Sequence, residues 1–156
     1  MKFKVSEDVD APADITWSRF TDFSGIEAEA TGRGADLSRV GNWTTASQGK
    51  GWRGSAKIRG RVRPVTSEIS ALNGPERCEI TTTVGGMEAV YEMTFLELRD
   101  DMTRVQVTLD LSASTLSARL ALQTLKLARG RVMQRLQGLL ARQGNLAEDD
   151  YRRARA

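Results

Sequence analysis

TLSARLALQTLKLARGRVMQRLQGLLAR, residues 115 to 142, decides the fold. At about 100° per residue, Ala118, Ala121, Leu122, Leu125, Ala128, Val132, Met133, Leu136, Leu139 and Leu140 fall on one face roughly 140° wide. The pattern predicts one long amphipathic helix, entered through an N-cap oxygen from Ser112, Ser114 or Thr115. At 1.5 Å per residue it is roughly 40 Å long, more than the diameter of a small domain, and needs a long partner surface. Two features depart from the simple stripe. Arg129 projects at the angle of Leu122 and Leu136, inside the apolar face, whereas Leu116, Leu120 and Leu127 align on the opposite one.

The partner surface lies upstream. From Gly34 to Ser112 the apolar period changes to two, the signature of strands. Ala35 to Arg39 reads as a short strand, followed by a polar loop holding Trp43. Trp52, Gly54, Ala56 and Ile58 alternate with Arg53, Ser55, Lys57 and Arg59, and Gly60 turns the chain into a strand over Arg61 to Leu72. Pro64 marks an edge position or bulge there and leaves the facing of Arg61 and Arg63 open. Asn73-Gly74-Pro75 is a turn. Cys78, Ile80, Thr82 and Val84 share one face of the next strand, and Gly85-Gly86 signals a tight hairpin. Met87, Ala89, Tyr91, Met93 and Phe95 follow, and Val105, Val107, Leu109 and Leu111 alternate cleanly after Asp100-Asp101. Strands joined by such short turns pair antiparallel.

The opening segment completes the order. Phe3, Val5 and Val9 suggest a first strand. In DAPADITWSRFTDF, Asp10 is placed to cap a short helix, Pro12 suits its first turn, and Ile15, Trp17 and Phe20 give its inner side. Ser24 to Ala30 reads as a second short helix stopped by Gly32 and Gly34. The tail from Gln143, QGNLAEDDYRRARA, is polar and is expected to fray, so the domain is drawn at 1 to 142 with a flexible tail over 143 to 156.

Composition narrows the chemistry. The 156 residues contain no histidine and one cysteine, which removes the commonest general base, the Ser-His-Asp and Cys-His arrangements and the usual zinc ligand. Cys78 sits in an alternating run and reads as a small core residue. No phosphate-cradling loop or metal-ligand spacing is present, so no cofactor and no metal is expected. No apolar run approaches a membrane span and the N-terminus lacks an apolar signal region, so the expected location is cytoplasmic. The net charge is +3 but unevenly spread: residues 1 to 30 carry three Lys/Arg against seven acids, residues 119 to 156 nine against three.

A sheet with one apolar face and a long helix with one apolar stripe bury each other. The predicted class is therefore α+β, a helix-grip in which a curved antiparallel sheet of about seven strands wraps a long C-terminal helix. VDAPADITWSRFTDF, GKGWRGSAKIRGRVR, NGPERCEI and LSARLALQTLKLARGR together resemble the START-like or Bet v 1-like (SRPBCC) superfamily, most closely its bacterial polyketide cyclase/dehydrase and lipid-transport branch. The resemblance covers nearly the whole chain. It implies a deep apolar cavity between helix and sheet that holds lipids, quinones, polyketides or similar molecules, in members that carry or sense a ligand and in others that are cyclases or hydrolases.

Within that frame, Trp52, Tyr91, Met93, Leu125, Arg129 and Met133 are the expected ligand-binding residues, with Arg129 the polar anchor. A buried guanidinium requires a carboxylate, a ligand oxygen or water. A cyclase needs an acid and a base together inside the pocket, yet Glu79, Glu88, Glu92 and Asp110 all have outward parity, so no catalytic residue is assigned. Carriage or sensing of a small hydrophobic ligand is the first reading. The second is an enzyme using Tyr91 and ordered water with Arg129 as electrophilic stabiliser, and the third a protein-interaction adaptor using the basic hairpin. Arg53, Lys57 and Arg59 form a basic face suited to an anionic membrane; without exposed aromatics for stacking, nucleic acid is not expected. Leu116, Leu120 and Leu127 predict a helix-mediated homodimer or cover from the loop around Trp43.

Overall fold

The computed structural model describes residues 1–156. In chain order the elements are β1 (Lys2–Val9), α1 (Ala13–Phe20), α2 (Phe23–Gly32), β2 (Asp36–Arg39), β3 (Gly51–Ile58), β4 (Arg61–Asn73), β5 (Arg77–Val84), β6 (Met87–Arg99), β7 (Met102–Ala113), α3 (Leu116–Leu127) and α4 (Arg129–Arg155). The strands form one antiparallel seven-stranded sheet in the order β1-β7-β6-β5-β4-β3-β2. Register shifts at Ile69/Ala71 and Glu97/Arg99 interrupt β4 and β6, and bulges of this kind bend a sheet and increase its twist. The helices lie on its concave side. The architecture is the α+β helix-grip that alternation and amphipathic spacing predict.

Period two sets which side chains face inward. Phe3, Val5, Val9, Ile69, Cys78, Val105 and Val107 are all essentially buried, and the cross-strand pairs Phe3↔Leu109, Tyr91↔Leu109 and Ile80↔Tyr91 run across one inner row. The outward acids find other work. Arg77 bridges Glu79 and Glu92, each at 2.7 Å, on the convex face.

The long helix is where structure and sequence pattern part. Thr115 caps it as expected, its Oγ1 accepting from the Ala118 amide at 3.2 Å. It is two helices, however, interrupted at Ala128, whose φ of −103° and ψ of 20° lie outside helical geometry. The Ala128 amide is shared between the Thr124 and Leu125 carbonyls, and Gly130 follows at once, which weakens helical continuation. The break lets each half follow a different surface. α3 rests mainly on β7, while α4 lies along β1 and α1. Arg129 donates to the Lys2 carbonyl at 2.7 Å and Gln137 to the Ser6 carbonyl at 2.8 Å.

The tail is also corrected. α4 continues through Gln143 to Arg155, because its small residues let it sit close: Ala147 is fully buried, and a Cβ on Gly144 would stand 3.1 Å from Val9 Cγ2. Asp150 then takes Arg19 in a two-pronged ion pair, both N–H···O distances 2.7 Å. The Asp10 amide donates to Glu148 of the same segment at 2.9 Å. Asp10 itself does not cap α1, which begins after Pro12 without a side-chain cap.

Candidate functional site

The inner face of the sheet is treated differently at its two ends. Under α1 and α2 it is filled with rings. Trp17 and Phe20 meet Phe95 edge-on at centroid distances of 5.1 and 5.7 Å, and Trp52 lies 5.6 Å from Phe23 and 5.2 Å from Trp43. Arg39 covers the outside of this cluster, 4.1 Å above Trp43 and hydrogen-bonded to Glu27. Trp43 is therefore packed at this end and does not cover the α3 leucines.

Under α3 the face is left open. A cleft of about 550 Å³ lies between α3 and strands β3 to β6, within the roughly 300–1,000 Å³ typical of small-molecule sites. Its existence follows from side-chain size. α3 turns Ser117, Ala118, Ala121 and Thr124 toward it, and the hairpin below supplies Gly85, Gly86 and Ala89. Nothing bulkier reaches across. A side chain at Gly86 would collide with Thr115, whose own side chain packs directly on the Gly86 backbone and holds the β5–β6 turn against the start of α3. Leu125 and Leu120 on the roof and Val84 and Met87 on the floor supply the apolar walls.

The charged lining comes from an unexpected quarter. Pairing of Ala56 with Arg63 and Ile58 with Arg61 places both arginines on the concave face of β4, settling what Pro64 leaves ambiguous. Together with Arg59 they stand at the mouth of the cleft. Arg53 and Lys57 share the opposite, convex parity. No aspartate or glutamate lines the cleft.

The six residues expected to bind ligand are thereby dispersed. Leu125 lines the cleft. Trp52 and Met93 are buried in the core, at 7% and 5% exposure, and the Trp52 indole N–H has no protein partner. Tyr91 lies one inner row beyond Ala89, opposite Ile80, where burial pushes its hydroxyl up to about 12. Met133 packs on the core from α4. Arg129 is exposed, bound to the Lys2 carbonyl with its guanidinium 4.9 Å from the Phe3 ring, so the expected polar anchor belongs to the α4–β1 contact. The arginines that line the cleft are Arg59, Arg61 and Arg63. Cys78 is fully buried, and burial raises its thiol to about 11, as a core cysteine requires.

This geometry offers apolar walls, cations at the entrance and no acid–base pair. No group of His, Cys, Asp and Glu is arranged to hold a metal, and no helix is long and apolar enough to cross a membrane.

Comparison with solved structures places the fold. A Thermus thermophilus protein superposes with a TM-score of 0.66 at 16% identity, covering 94% of this chain and 97% of its own. The Zhui aromatase/cyclase from Streptomyces gives 0.65 at 17%, covering 95% and 93%. A START superfamily protein from Mycobacterium smegmatis gives 0.54 at 16%, covering 88% and 98%. At such identities the likeness is one of fold. No curated protein matches the sequence at the significance required. A family profile described as polyketide cyclase / dehydrase and lipid transport matches residues 1–144. The chain belongs to that family, with the START-like, Bet v 1-like helix-grip that the arrangement of its strands and helices displays.

Proposed function

We propose that the protein carries or senses a small hydrophobic molecule held in the cleft under α3. The observation that carries this reading is the pairing of an apolar cleft of about 550 Å³ with a lining that contains no carboxylate and no histidine. Acid–base chemistry on a bound ligand requires a group poised near neutral pH. The Tyr91 phenol, on the inner face next to Ala89, stays protonated there because burial raises it to about 12, which weighs against the cyclase or dehydrase alternative. Of the residues expected from sequence, Leu125 contacts the ligand directly, while Trp52, Tyr91, Met93 and Met133 shape the core beneath it.

Exchange with an anionic bilayer fits the same end of the molecule. Ile58 and Val62 are exposed at the β3–β4 hairpin, flanked by Arg53, Lys57 and Arg59, none of which is in an ion pair. Leu116, Leu120 and Leu127, at 73%, 61% and 91% exposure, extend that apolar surface along α3. A second copy of the chain is the competing occupant of the leucines.

Native mass spectrometry of protein purified from its own host, with identification of what dissociates on denaturation, tests carriage directly. A reproducible lipid, quinone or polyketide is expected, and conversion of that compound on incubation would favour the enzyme. Sedimentation with phosphatidylglycerol vesicles, compared with phosphatidylcholine, tests the membrane step. Binding to the anionic vesicles should be lost in R53E/K57E. Sedimentation velocity of the protein alone reads the dimer: a concentration-dependent shift abolished by L116E, outside the cleft lining, would assign the leucines to self-association.

A further inference from the structure

The cleft mouth carries more positive charge than packing requires. Arg61 and Arg63 lie two residues apart on one face of β4, and like charges so placed repel. Neither they nor Arg59 appears in any ion pair of the protein. Arg59 is held at φ 52°, beside Gly60 at φ 78°. Positive φ at both residues of a two-residue hairpin is the type I′ geometry for which Asn-Gly is preferred. For an arginine the left-handed conformation is unfavourable. Three guanidiniums are thus concentrated at one opening, one of them against its backbone preference, with no protein anion to relieve them.

Guanidinium is also the side chain best suited to carboxylate or phosphate, which it meets with paired N–H donors. Apart from the arginines the lining is uncharged, with Ala121 and Leu125 above and Val84, Met87 and Ala89 below as apolar walls and the hydroxyls of Thr82, Ser117 and Thr124 among them. From Ser117 to Leu125 the roof runs about 12 Å at 1.5 Å per residue. Charge is therefore confined to the side of the cleft formed by Arg59, Arg61 and Arg63, and the remaining lining is neutral and mostly apolar.

We propose that the ligand is an anionic amphiphile, with its carboxylate or phosphate on Arg59, Arg61 and Arg63 and its apolar body under α3. This rests on the reading of the cleft as a hydrophobic-ligand site and adds the chemical class of the ligand and its polarity of insertion. The arginines act as selectivity residues, choosing the anionic over the neutral molecule of equal length.

Calorimetric titration with decanoate, decyl phosphate, decanol and inorganic phosphate separates the two levels. Wild type should bind decanoate and decyl phosphate about tenfold or more tightly than decanol, as a charge-assisted hydrogen bond is worth. The preference should shrink with added salt. R59Q/R61Q/R63Q should bind both anions no better than decanol while still binding decanol. That retained binding also shows that the variant is folded. Equal binding of all three amphiphiles by wild type would overturn the anionic assignment and leave the hydrophobic site standing. Failure of every amphiphile to bind would overturn both. Inorganic phosphate binding as tightly as decyl phosphate would mean that the apolar body contributes nothing, and a preference that survives in R59Q/R61Q/R63Q would move the anion elsewhere; each of these overturns the proposal.

Discussion

The two ends of the concave face are built from the same alternating strands and end in opposite states. At the α1–α2 end, side chains of Trp17, Phe20, Phe23 and Trp43 descend onto Phe95 and Trp52 and fill the space. At the α3 end, Ser117, Ala118, Ala121 and Thr124 look down on Gly85, Gly86 and Ala89 and leave a cleft. Sheet parity is identical in both places. What differs is the size of the side chains that the covering helix supplies, and that difference divides the grip into a part that holds the fold together and a part free to hold something else.

The largest effect should come from emptying the filled end. Phe95→Ala removes the ring on which Trp17 and Phe20 both rest, and a large-to-small change of this kind costs about 3–5 kcal/mol, readable as a fall in the urea midpoint. If the loss were under about 1 kcal/mol, well below that range, the aromatic end would not be the stable part. Filling the open end is the converse test. Ala121→Trp places an indole in the cleft, and binding of decanol should fall by about tenfold or more as the space is occupied, while stability moves by less than about 1 kcal/mol. A large stability loss there would show that α3 is packed as tightly as α4.

How α4 is fastened gives a smaller, pH-dependent effect. Arg19, hydrogen-bonded to Asp150, holds its carboxyl below the ordinary aspartate range. On acidification the unfolded chain takes up that proton before the folded one does. The contribution is therefore whole above about pH 4 and drains away as pH falls below it. Asp150→Asn should cost about 1 kcal/mol at neutral pH and make the acid limb of the stability curve shallower. An unchanged acid limb would assign that slope to other carboxylates, Asp8 beside Arg104 among them. The smallest change is expected at Trp52. Replacing it with Phe gives up some indole contact but removes a buried N–H that has no protein partner, so the two effects offset to within about 1 kcal/mol in the same urea assay.

Much of this was legible from residue spacing, and the misses have definite causes. Period two identified the sheet and the inner parity of Tyr91 and Met93, and the outward acids are outward. Parity states which face a side chain is on but not what else occupies that face: Phe23 of α2 and Trp43 pack on Trp52, and Met93 is buried in the same core. Arg129 keeps the phase of Leu122 only if one helix runs through Ala128, and there the helix breaks and restarts, setting Arg129 against Lys2 and the Phe3 ring. The arginines of the cleft mouth were hidden by Pro64. Their facing depends on the register set by the Arg59-Gly60 turn. The helical end of α4 depends on Asp150 meeting Arg19, 131 residues away in sequence, a pairing no local pattern announces. A usable signal was present for the cleft itself: Ser117, Ala118, Ala121 and Thr124 share one helical face and are all small.

The lie of α4 along β1 also bears on how copies of the chain can meet. An outer strand of a sheet offers unpaired carbonyls and amides to any other strand that approaches. On β1 the Lys2 and Ser6 carbonyls are already taken by Arg129 and Gln137, and at the far side β2 is only four residues long, Asp36–Arg39. Strand-to-strand addition, the usual route by which sheet proteins polymerise, is thereby blocked on one flank and given little template on the other. Side-chain surfaces such as the exposed α3 leucines are the faces left for one copy to meet another.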